Sequence, residues 1–147
     1  MQGGQVFVYG TLMADEVVGL LLKRVPPSKP ATLAGHRRHA VKGQVFPAIV
    51  PADAGSSVRG KVLLQLSPRE LEILDVYEAE EYYRARVQPS LDDGTRVDAD
   101  VYVWKDQYRH LLGGDWSYEG WREDHFAAWM RRMDPSGGHP NGQLAAE

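Results

Sequence analysis

Apolar residues occur in short runs that are separated by glycine, proline and charged residues. The run QVFVY at 5–9 predicts a short buried strand. The Gly10-Thr11-Leu12 segment follows it, and ADEVVGLLLKR at 14–24 then predicts a helix. Three prolines within VPPSKP at 25–30 end this helix, because proline cannot continue the backbone hydrogen-bond ladder. The chain therefore opens as a strand, a glycine turn and a helix.

The middle of the chain is rich in β-branched and apolar residues, with turn-forming residues between the runs. Its predicted strands are ATLAGHRRHAV at 31–41, VFPAIVPA at 45–52 and VRGKVLLQL at 58–66. Two further segments, YRARVQPSL at 83–91 and RVDADVYVW at 96–104, predict a hairpin that the Asp92-Asp93-Gly94-Thr95 turn closes.

Two more helices are predicted. LSPRELEILDVYEAEEYYR at 66–84 begins with a capping box, in which Ser67 caps, Pro68 takes the first helical position and Glu70 reaches back. A last helix runs from Tyr118 to Met133 and carries the predicted buried residues Trp121, Phe126, Trp129, Met130 and Met133.

These elements predict one domain over residues 1–133 and a flexible tail over 134–147, which contains turn formers and few apolar residues. Strands and helices do not alternate regularly along the chain. The pattern therefore favours an α+β fold, with a small mixed β-barrel and flanking helices, over a doubly wound parallel sheet.

Composition excludes several classes of function. The 147 residues carry a formal net charge of -3, which argues against nucleic acid as the main partner. The chain has no cysteine, so disulfides, zinc–thiolate sites and cysteine nucleophiles are excluded. Its five histidines are scattered, and nothing in their spacing supports a metal site. No apolar run approaches the roughly 18 residues of a membrane span, so a soluble cytoplasmic protein is expected.

The glycine turn is the first candidate site. Free backbone amides at a strand-to-helix turn form a concave site for anions, and the helix dipole assists them. The amides of Gly10, Thr11 and Leu12 are thus candidates to hold a carboxylate or an oxyanion. Most such turns bind nothing, so a purely structural glycine is the alternative interpretation.

Glu78 is the second candidate. In the predicted helix, Leu71, Leu74 and Glu78 follow one apolar stripe at i, i+3 and i+7. Burial disfavours a charged carboxylate and raises its pKa, which makes a glutamate useful as a general base near neutral pH. The alternatives are a frayed helix end or an ion pair with Arg84 or Arg86.

Other polar and aromatic groups give weaker signals. Ser56 and Ser57 lie in a turn that lacks the nucleophile-elbow pattern. Glu80 and Glu81 are expected on a solvated face, and the C-terminal tryptophans in the core. The Phe46-Pro47-Ala48 segment is expected as an edge strand or a pocket wall, because proline lacks the amide that a central strand needs.

Several of these segments together resemble the gamma-glutamylcyclotransferase family, and more closely its plant avirulence-induced-gene-like branch. They are VFVYGTLM, FPAIV, VRGKVLLQL, LEILDVYEAEEYYRARV and ADVYVW. DWSYEGWREDHFAAWM is similar to the helical extension of that plant branch. The resemblance covers about residues 5–133.

The resemblance implies a ligand cavity at the mouth of a barrel and a glutamate, here Glu78, as the general base. A loop that holds the γ-glutamyl group through its amides is implied at the Tyr9–Leu12 motif. The substrate-binding residues implied are Tyr9, Gly10, Thr11, Leu12, Met13, Ala14 and Tyr82, with Arg84 and Pro47 as supporting residues. Two departures from the family are Phe46, where tyrosine is frequent, and Ala79, where glycine or aspartate is common.

The implied reaction is an intramolecular attack of the α-amine of a γ-glutamyl compound on its γ-carbonyl, with release of 5-oxoproline and an amine. It requires no metal and no organic cofactor. The leaving group stays open among glutathione, γ-glutamyl dipeptides and γ-glutamyl amines. The alternatives are a non-catalytic ligand-binding or stress-response protein, or a hydrolase of other amides. A monomer or weak homodimer is expected.

Overall fold

The structure is a computed structural model that describes residues 4–133, so the tail predicted at 134–147 lies outside the described residues. The strands are β1 (Gly4–Val8), β2 (Ser28–Ala34), β3 (His36–Ala40), β4 (Pro47–Pro51), β5 (Ser57–Leu66), β6 (Tyr82–Val87), β7 (Ser90–Leu91) and β8 (Ala99–Trp104). The α-helices are α1 (Asp15–Leu22), α2 (Pro68–Glu78), α3 (Tyr118–Asp124) and α4 (Phe126–Met133), and short 3₁₀ helices span Thr11–Met13 and Asp106–Leu111.

Six strands form one mixed sheet in the order β6-β8-β1-β5-β2-β7. Only β1 and β8 run parallel, and every other pair is antiparallel. The predicted α+β class is confirmed, but within residues 4–133 the sheet does not close into a barrel. One edge is β7, a strand of two residues that pairs with β2, and the other edge is β6.

The strand predicted at 31–41 is divided at Gly35, where the backbone turns with a φ of 75°. A left-handed conformation of this kind is open to glycine at little cost. It carries the chain out of the six-stranded sheet, and β3 then pairs with β4 in a separate two-stranded sheet. Pro47 and Pro51 of β4 occupy an edge strand, as predicted from the missing proline amide.

The predicted pairing of the segments 83–91 and 96–104 is confirmed, since β6 and β8 pair from Tyr82↔Trp104 to Val87↔Ala99. Their connection is longer than a simple turn. Residues 90–91 form β7 against β2, and the Leu91 amide donates to the Thr95 carbonyl oxygen at 2.7 Å.

The capping box of α2 is confirmed. The Glu70 amide donates to Ser67 Oγ at 3.1 Å, and the Ser67 amide donates to Glu70 Oε1 at 2.9 Å. Arg24 holds the same Glu70 carboxylate in a bidentate pair with two distances of 2.7 Å. The start of α2 is therefore fixed both by its cap and by the end of α1.

Two hydrophobic clusters pack the sheet. The larger cluster joins α1, α2, α3 and α4 to the sheet and includes Leu74, Tyr77, Trp121 and Trp129. The other contains Phe7, Tyr9, Ile49 and Val101, and so joins β4 to the sheet. Tyr77 and Tyr9 belong to different clusters, and the candidate site lies where the two clusters meet.

The predicted C-terminal helix is interrupted at His125, whose φ of -130° and ψ of -13° separate α3 from α4. Arg122 of α3 forms a bidentate ion pair with Glu16 of α1. Trp129 of α4 is 2% exposed, so α4 also packs on the body of the protein. Among residues 4–133, no helix combines the length and the apolar character needed to cross a membrane.

Candidate active site

A cavity lies between the end of β1, the start of β4, the end of α2 and the helix α4. Its empty volume is about 390 Å³ when its open mouth is counted. Its walls are formed by Phe7, Val8, Tyr9, Gly10, Thr11, Leu12, Phe46, Pro47, Tyr77, Glu78, Tyr82, Tyr102 and Trp129. Among the described residues of this wall, Glu78 is the only one with a carboxylate, ammonium, guanidinium or imidazole side chain.

The glycine turn forms one side of the cavity. A Cβ atom on Gly10 would lie 2.8 Å from Pro47 Cγ and 2.9 Å from Pro47 Cδ. Gly10 is therefore required by the close approach of the Pro47 ring. Arg38 Nη1 donates to the Tyr9 carbonyl oxygen at 2.8 Å, and this hydrogen bond holds the residue that directly precedes Gly10.

The amides of the turn divide into two groups. Those of Met13 and Ala14 donate to the carbonyl oxygens of Gly10 and Thr11, at 3.0 and 3.1 Å, and close the 3₁₀ turn. Within residues 4–133, the amides of Gly10, Thr11 and Leu12 form no hydrogen bond. These three amides are available for an oxygen of a ligand.

Glu78 is the last residue of α2 and is half-buried, with its open surface toward the cavity. Its carboxylate forms no hydrogen bond or ion pair with any residue from 4 to 133. Burial, and to a smaller extent the negative charge of Asp75, raises the pKa of Glu78 to about 8. The alternative of an ion pair with Arg84 or Arg86 is wrong.

Both of these arginines bind other carboxylates. Arg84 Nε lies 3.1 Å from Asp75 Oδ1, and Arg84 Nη1 lies 3.2 Å from Asp100 Oδ2. Arg86 Nη1 lies 3.4 Å from Asp100 Oδ1. Arg84 therefore does not line the cavity, and Asp75 connects it to Tyr102 of the wall.

Three tyrosines of the wall have hydroxyl groups that are engaged by the protein itself. Tyr9 donates to the Tyr102 carbonyl oxygen at 2.6 Å, Tyr82 donates to the Pro47 carbonyl oxygen at 2.8 Å, and Tyr102 donates to Asp75 Oδ1 at 2.7 Å. Burial raises the pKa of each hydroxyl above its ordinary value, and the charge of Glu78 contributes to each rise. These hydroxyls stay protonated and stiffen the wall.

Tyr77 joins three elements through its hydroxyl. Trp129 Nε1 donates to the Tyr77 oxygen at 3.1 Å, and the Tyr77 and Thr11 hydroxyl oxygens are 2.6 Å apart. The Tyr77 and Trp129 rings meet edge to face, with centroids 6.5 Å apart. The glycine turn, the end of α2 and α4 are thus connected beside the cavity.

The structure brings together most of the residues predicted for the site. Those that line the cavity are Tyr9, Gly10, Thr11, Leu12, Pro47, Glu78 and Tyr82. Met13, Ala14 and Arg84 do not line it. Glu81 differs from the expected solvated face, since its Oε1 atom is buried without a hydrogen-bond partner within residues 4–133.

Sequence reasoning did not identify Phe7, Val8, Tyr77 and Tyr102 as residues of the wall. Tyr77 directly precedes Glu78, so the motif itself contained that signal. Trp129 was expected in the core; it is a core residue that also forms part of the cavity wall.

Ala79 ends α2 with strained backbone angles, a φ of 69° and a ψ of -170°. This region is almost confined to glycine, and it costs another residue about 1–3 kcal/mol. Glycine, one of the two residues that the family resemblance leads us to expect at this position, would adopt these angles without strain. The strain lies directly after Glu78.

We expect Ala79→Gly to raise the free energy of unfolding by about 1 kcal/mol, because relief of strain exceeds the larger chain entropy of an unfolded glycine. Urea unfolding measures the change. Ala85→Gly, in the middle of β6, is the matched control and should lower the free energy by about 0.5–1 kcal/mol. A loss of stability in both variants would contradict the strain at Ala79.

In the part of the chain that the structure describes, no three histidine, aspartate or glutamate side chains lie close enough together to hold a metal ion. The chemistry of the cavity itself rests on one carboxylate, three free amides and a hydroxyl-bearing wall.

Within residues 4–133 the glycine turn and a glutamate without a hydrogen bond or ion pair thus line one cavity of an α+β fold. A family model described as "Gamma-glutamyl cyclotransferase, AIG2-like" matches residues 6–118, and the chain belongs to that family. The family predicted from the sequence motifs is thereby confirmed.

Relatives agree with this assignment. AIG2-like protein D from Arabidopsis thaliana is 42% identical over 128 residues, which cover 86% of this chain and 84% of the relative. A solution structure from Arabidopsis thaliana has a TM-score of 0.71 at 32% identity and covers 92% of this chain and 91% of its own. A structure named gamma-glutamyl cyclotransferase has a TM-score of 0.59 at 16% identity, with coverages of 88% and 85%, and shows the shared fold alone.

Proposed function

We propose that this protein is a gamma-glutamylcyclotransferase that converts a γ-glutamyl compound into 5-oxoproline and a free amine or amino acid. The observation that carries the proposal is the Glu78 carboxylate, which is unpaired within residues 4–133 and lines the same cavity as three free amides. The fold and the family support this class of reaction.

The substrate offers groups that suit both sides of the cavity. A γ-glutamyl compound carries an α-carboxylate, an α-ammonium group and a γ-amide. In the proposed complex, the amides of Gly10, Thr11 and Leu12 hold an oxygen of the substrate, and the ammonium group faces Glu78. The opposite charges attract, and this attraction favours the ionised form of Glu78 when the ammonium group is bound.

Glu78 then acts as the general base. The ammonium nitrogen has no free electron pair and cannot attack. Because burial disfavours charges, transfer of a proton from the ammonium group to Glu78 replaces an ion pair by a neutral amine and a neutral acid. The pKa of about 8 places Glu78 close to the pKa of an α-amine, so the transfer is nearly balanced.

The neutral amine attacks the γ-carbonyl carbon of the same molecule and forms the C–N bond of a five-membered lactam. The free amides stabilise the charge that develops on an oxygen, an effect worth roughly 10²–10³-fold per donor. The original C–N amide bond breaks, and the protonated Glu78 returns its proton to the departing nitrogen. The ring nitrogen loses its second proton to Glu78, which passes it to the released amine, so the products are a neutral lactam and an ammonium group and Glu78 regains its charge.

Product analysis by mass spectrometry tests the proposal. The protein is incubated with glutathione, a γ-glutamyl dipeptide and a γ-glutamyl amine, and we expect 5-oxoproline from at least one of them. Free glutamate would indicate an amide hydrolase. No product, with the compounds still bound, would favour a non-catalytic binding protein. A cytoplasmic location and a monomeric or weakly dimeric state stay predictions.

A further inference from the structure

We propose that the Thr11 hydroxyl donates a hydrogen bond to the substrate, and that Trp129 sets the direction of this bond through Tyr77. Thr11 thereby becomes a fourth donor beside the free amides, for a carboxylate or carbonyl oxygen. The ligand class rests on the proposed function, whereas the direction of the chain of hydrogen bonds rests on the geometry alone.

The direction is fixed first at Trp129. An indole N–H donates and cannot accept, so the Tyr77 oxygen must be the acceptor of the 3.1 Å bond. Trp129 and Tyr77 are each 2% exposed, so water does not replace this partner. The Tyr77 hydroxyl therefore keeps its own proton for another acceptor.

The next step leads to Thr11. Within residues 4–133, the other partner of the Tyr77 hydroxyl is Thr11 Oγ1, at 2.6 Å. A buried hydroxyl proton without an acceptor is strongly unfavourable. Tyr77 thus donates to Thr11, and the bond runs from α2 into the glycine turn.

Thr11 is left with its own hydroxyl proton. Thr11 is 6% exposed and lines the cavity, and its hydroxyl has no further partner within residues 4–133. The proton is available to an oxygen in the cavity, beside the amides of Gly10, Thr11 and Leu12. A ligand oxygen there meets hydroxyl and amide donors together.

Trp129 belongs to α4, which begins at Phe126 and lies beyond residue 118, where the family match ends. Its ring also meets Phe46 edge to face, with centroids 6.3 Å apart. The helix α4 thus contributes a residue to the cavity wall, although it lies outside the segment that matches the family model. Trp129 is a positioning residue, because it reaches the ligand through Tyr77 and Thr11.

The test measures binding without turnover. Isothermal titration calorimetry gives the Kd of γ-glutamylalanine in the Glu78→Gln background. Thr11→Val removes the hydroxyl and should raise the Kd about tenfold or more, as expected for a hydrogen bond to a charged group. Thr11→Ser keeps the hydroxyl and should remain within about threefold.

A double-mutant comparison distinguishes the proposed positioning role of Trp129 from simple packing. Trp129→Phe keeps an aromatic ring without the N–H and should raise the Kd severalfold. In the Thr11→Val background the same change should have no further effect on Kd, since the donor is already gone. Additive effects of the two changes would overturn the role of Trp129.

A second readout does not depend on the ligand. Thr11→Val leaves the buried Tyr77 proton without an acceptor, so its urea midpoint should fall below that of Thr11→Ser. An unchanged midpoint together with an unchanged Kd would overturn the proposal, and so would an absence of binding in all variants. Failure of the proposed function is seen separately, as a lack of 5-oxoproline from the chain with Glu78 intact.

Discussion

Glu78→Gln is expected to lower turnover of a γ-glutamyl substrate by about 10²–10⁴-fold, the usual contribution of general acid–base catalysis. Glutamine keeps the size of the side chain but cannot accept the ammonium proton at neutral pH. Since Glu78 forms no bond within residues 4–133, its replacement breaks no contact of the fold. Release of 5-oxoproline, followed by mass spectrometry, measures the loss.

Glu80→Gln is the matched control for this experiment. It makes the same chemical change two residues later, on an exposed side chain. We expect turnover close to that of the unchanged protein. Full activity in Glu78→Gln would contradict the general-base assignment, and an equal loss in both variants would indicate a general effect of charge.

Local rules were sufficient for the parts of the fold that depend on near neighbours. The α2 cap depends on Ser67 and Glu70, three residues apart, and its geometry follows from that spacing. The position of Glu78 on the Leu74 face likewise follows from helical periodicity. Both predictions are confirmed because tertiary contacts support the local preference rather than oppose it.

Long-range contacts determined the rest. Tyr77 and Trp129 meet across 52 residues of chain, and Tyr77 and Thr11 across 66. No periodicity in the sequence indicates such a meeting. The tight 3₁₀ turn at Thr11–Met13 was also not predicted, and it engages the amides of Met13 and Ala14, two residues that were expected to bind substrate.

The departures from the family pattern have different physical consequences. The backbone at Ala79 adopts angles that glycine would accept more easily, so this departure stores strain beside Glu78. Phe46 replaces the frequent tyrosine, is 5% exposed and packs on the Trp129 ring. Burial is the larger cause of the raised pKa of Glu78, and Asp75 is the charged group that adds to it.

The second large effect that we expect from Glu78 is on the pH dependence of the free energy of unfolding. Its pKa is 4.5 as an ordinary side chain and about 8 in the folded protein. Between these values the folded chain binds more protons than the unfolded chain, so the free energy of unfolding falls as pH rises. The contribution of Glu78 is fully present below pH 4.5 and is lost through pH 8.

One pKa unit corresponds to about 1.4 kcal/mol, so the full rise sets an upper bound of about 5 kcal/mol. The side chain is open to the cavity, and water there reduces the penalty of its charge. We expect a loss of about 2–3 kcal/mol between pH 5 and pH 9 in the unchanged protein relative to Glu78→Gln.

Urea unfolding of both proteins at pH 5 and pH 9 isolates this contribution. Glu16 and Glu70 have lowered pKa values because they bind Arg122 and Arg24, so they act in the opposite direction at acid pH. They are common to both proteins and cancel in the difference. Glu80→Gln should show no such pH-dependent difference. Parallel curves for Glu78→Gln and the unchanged protein would mean that Glu78 ionises freely, and the base would then lack the raised pKa on which the proposed proton transfer depends.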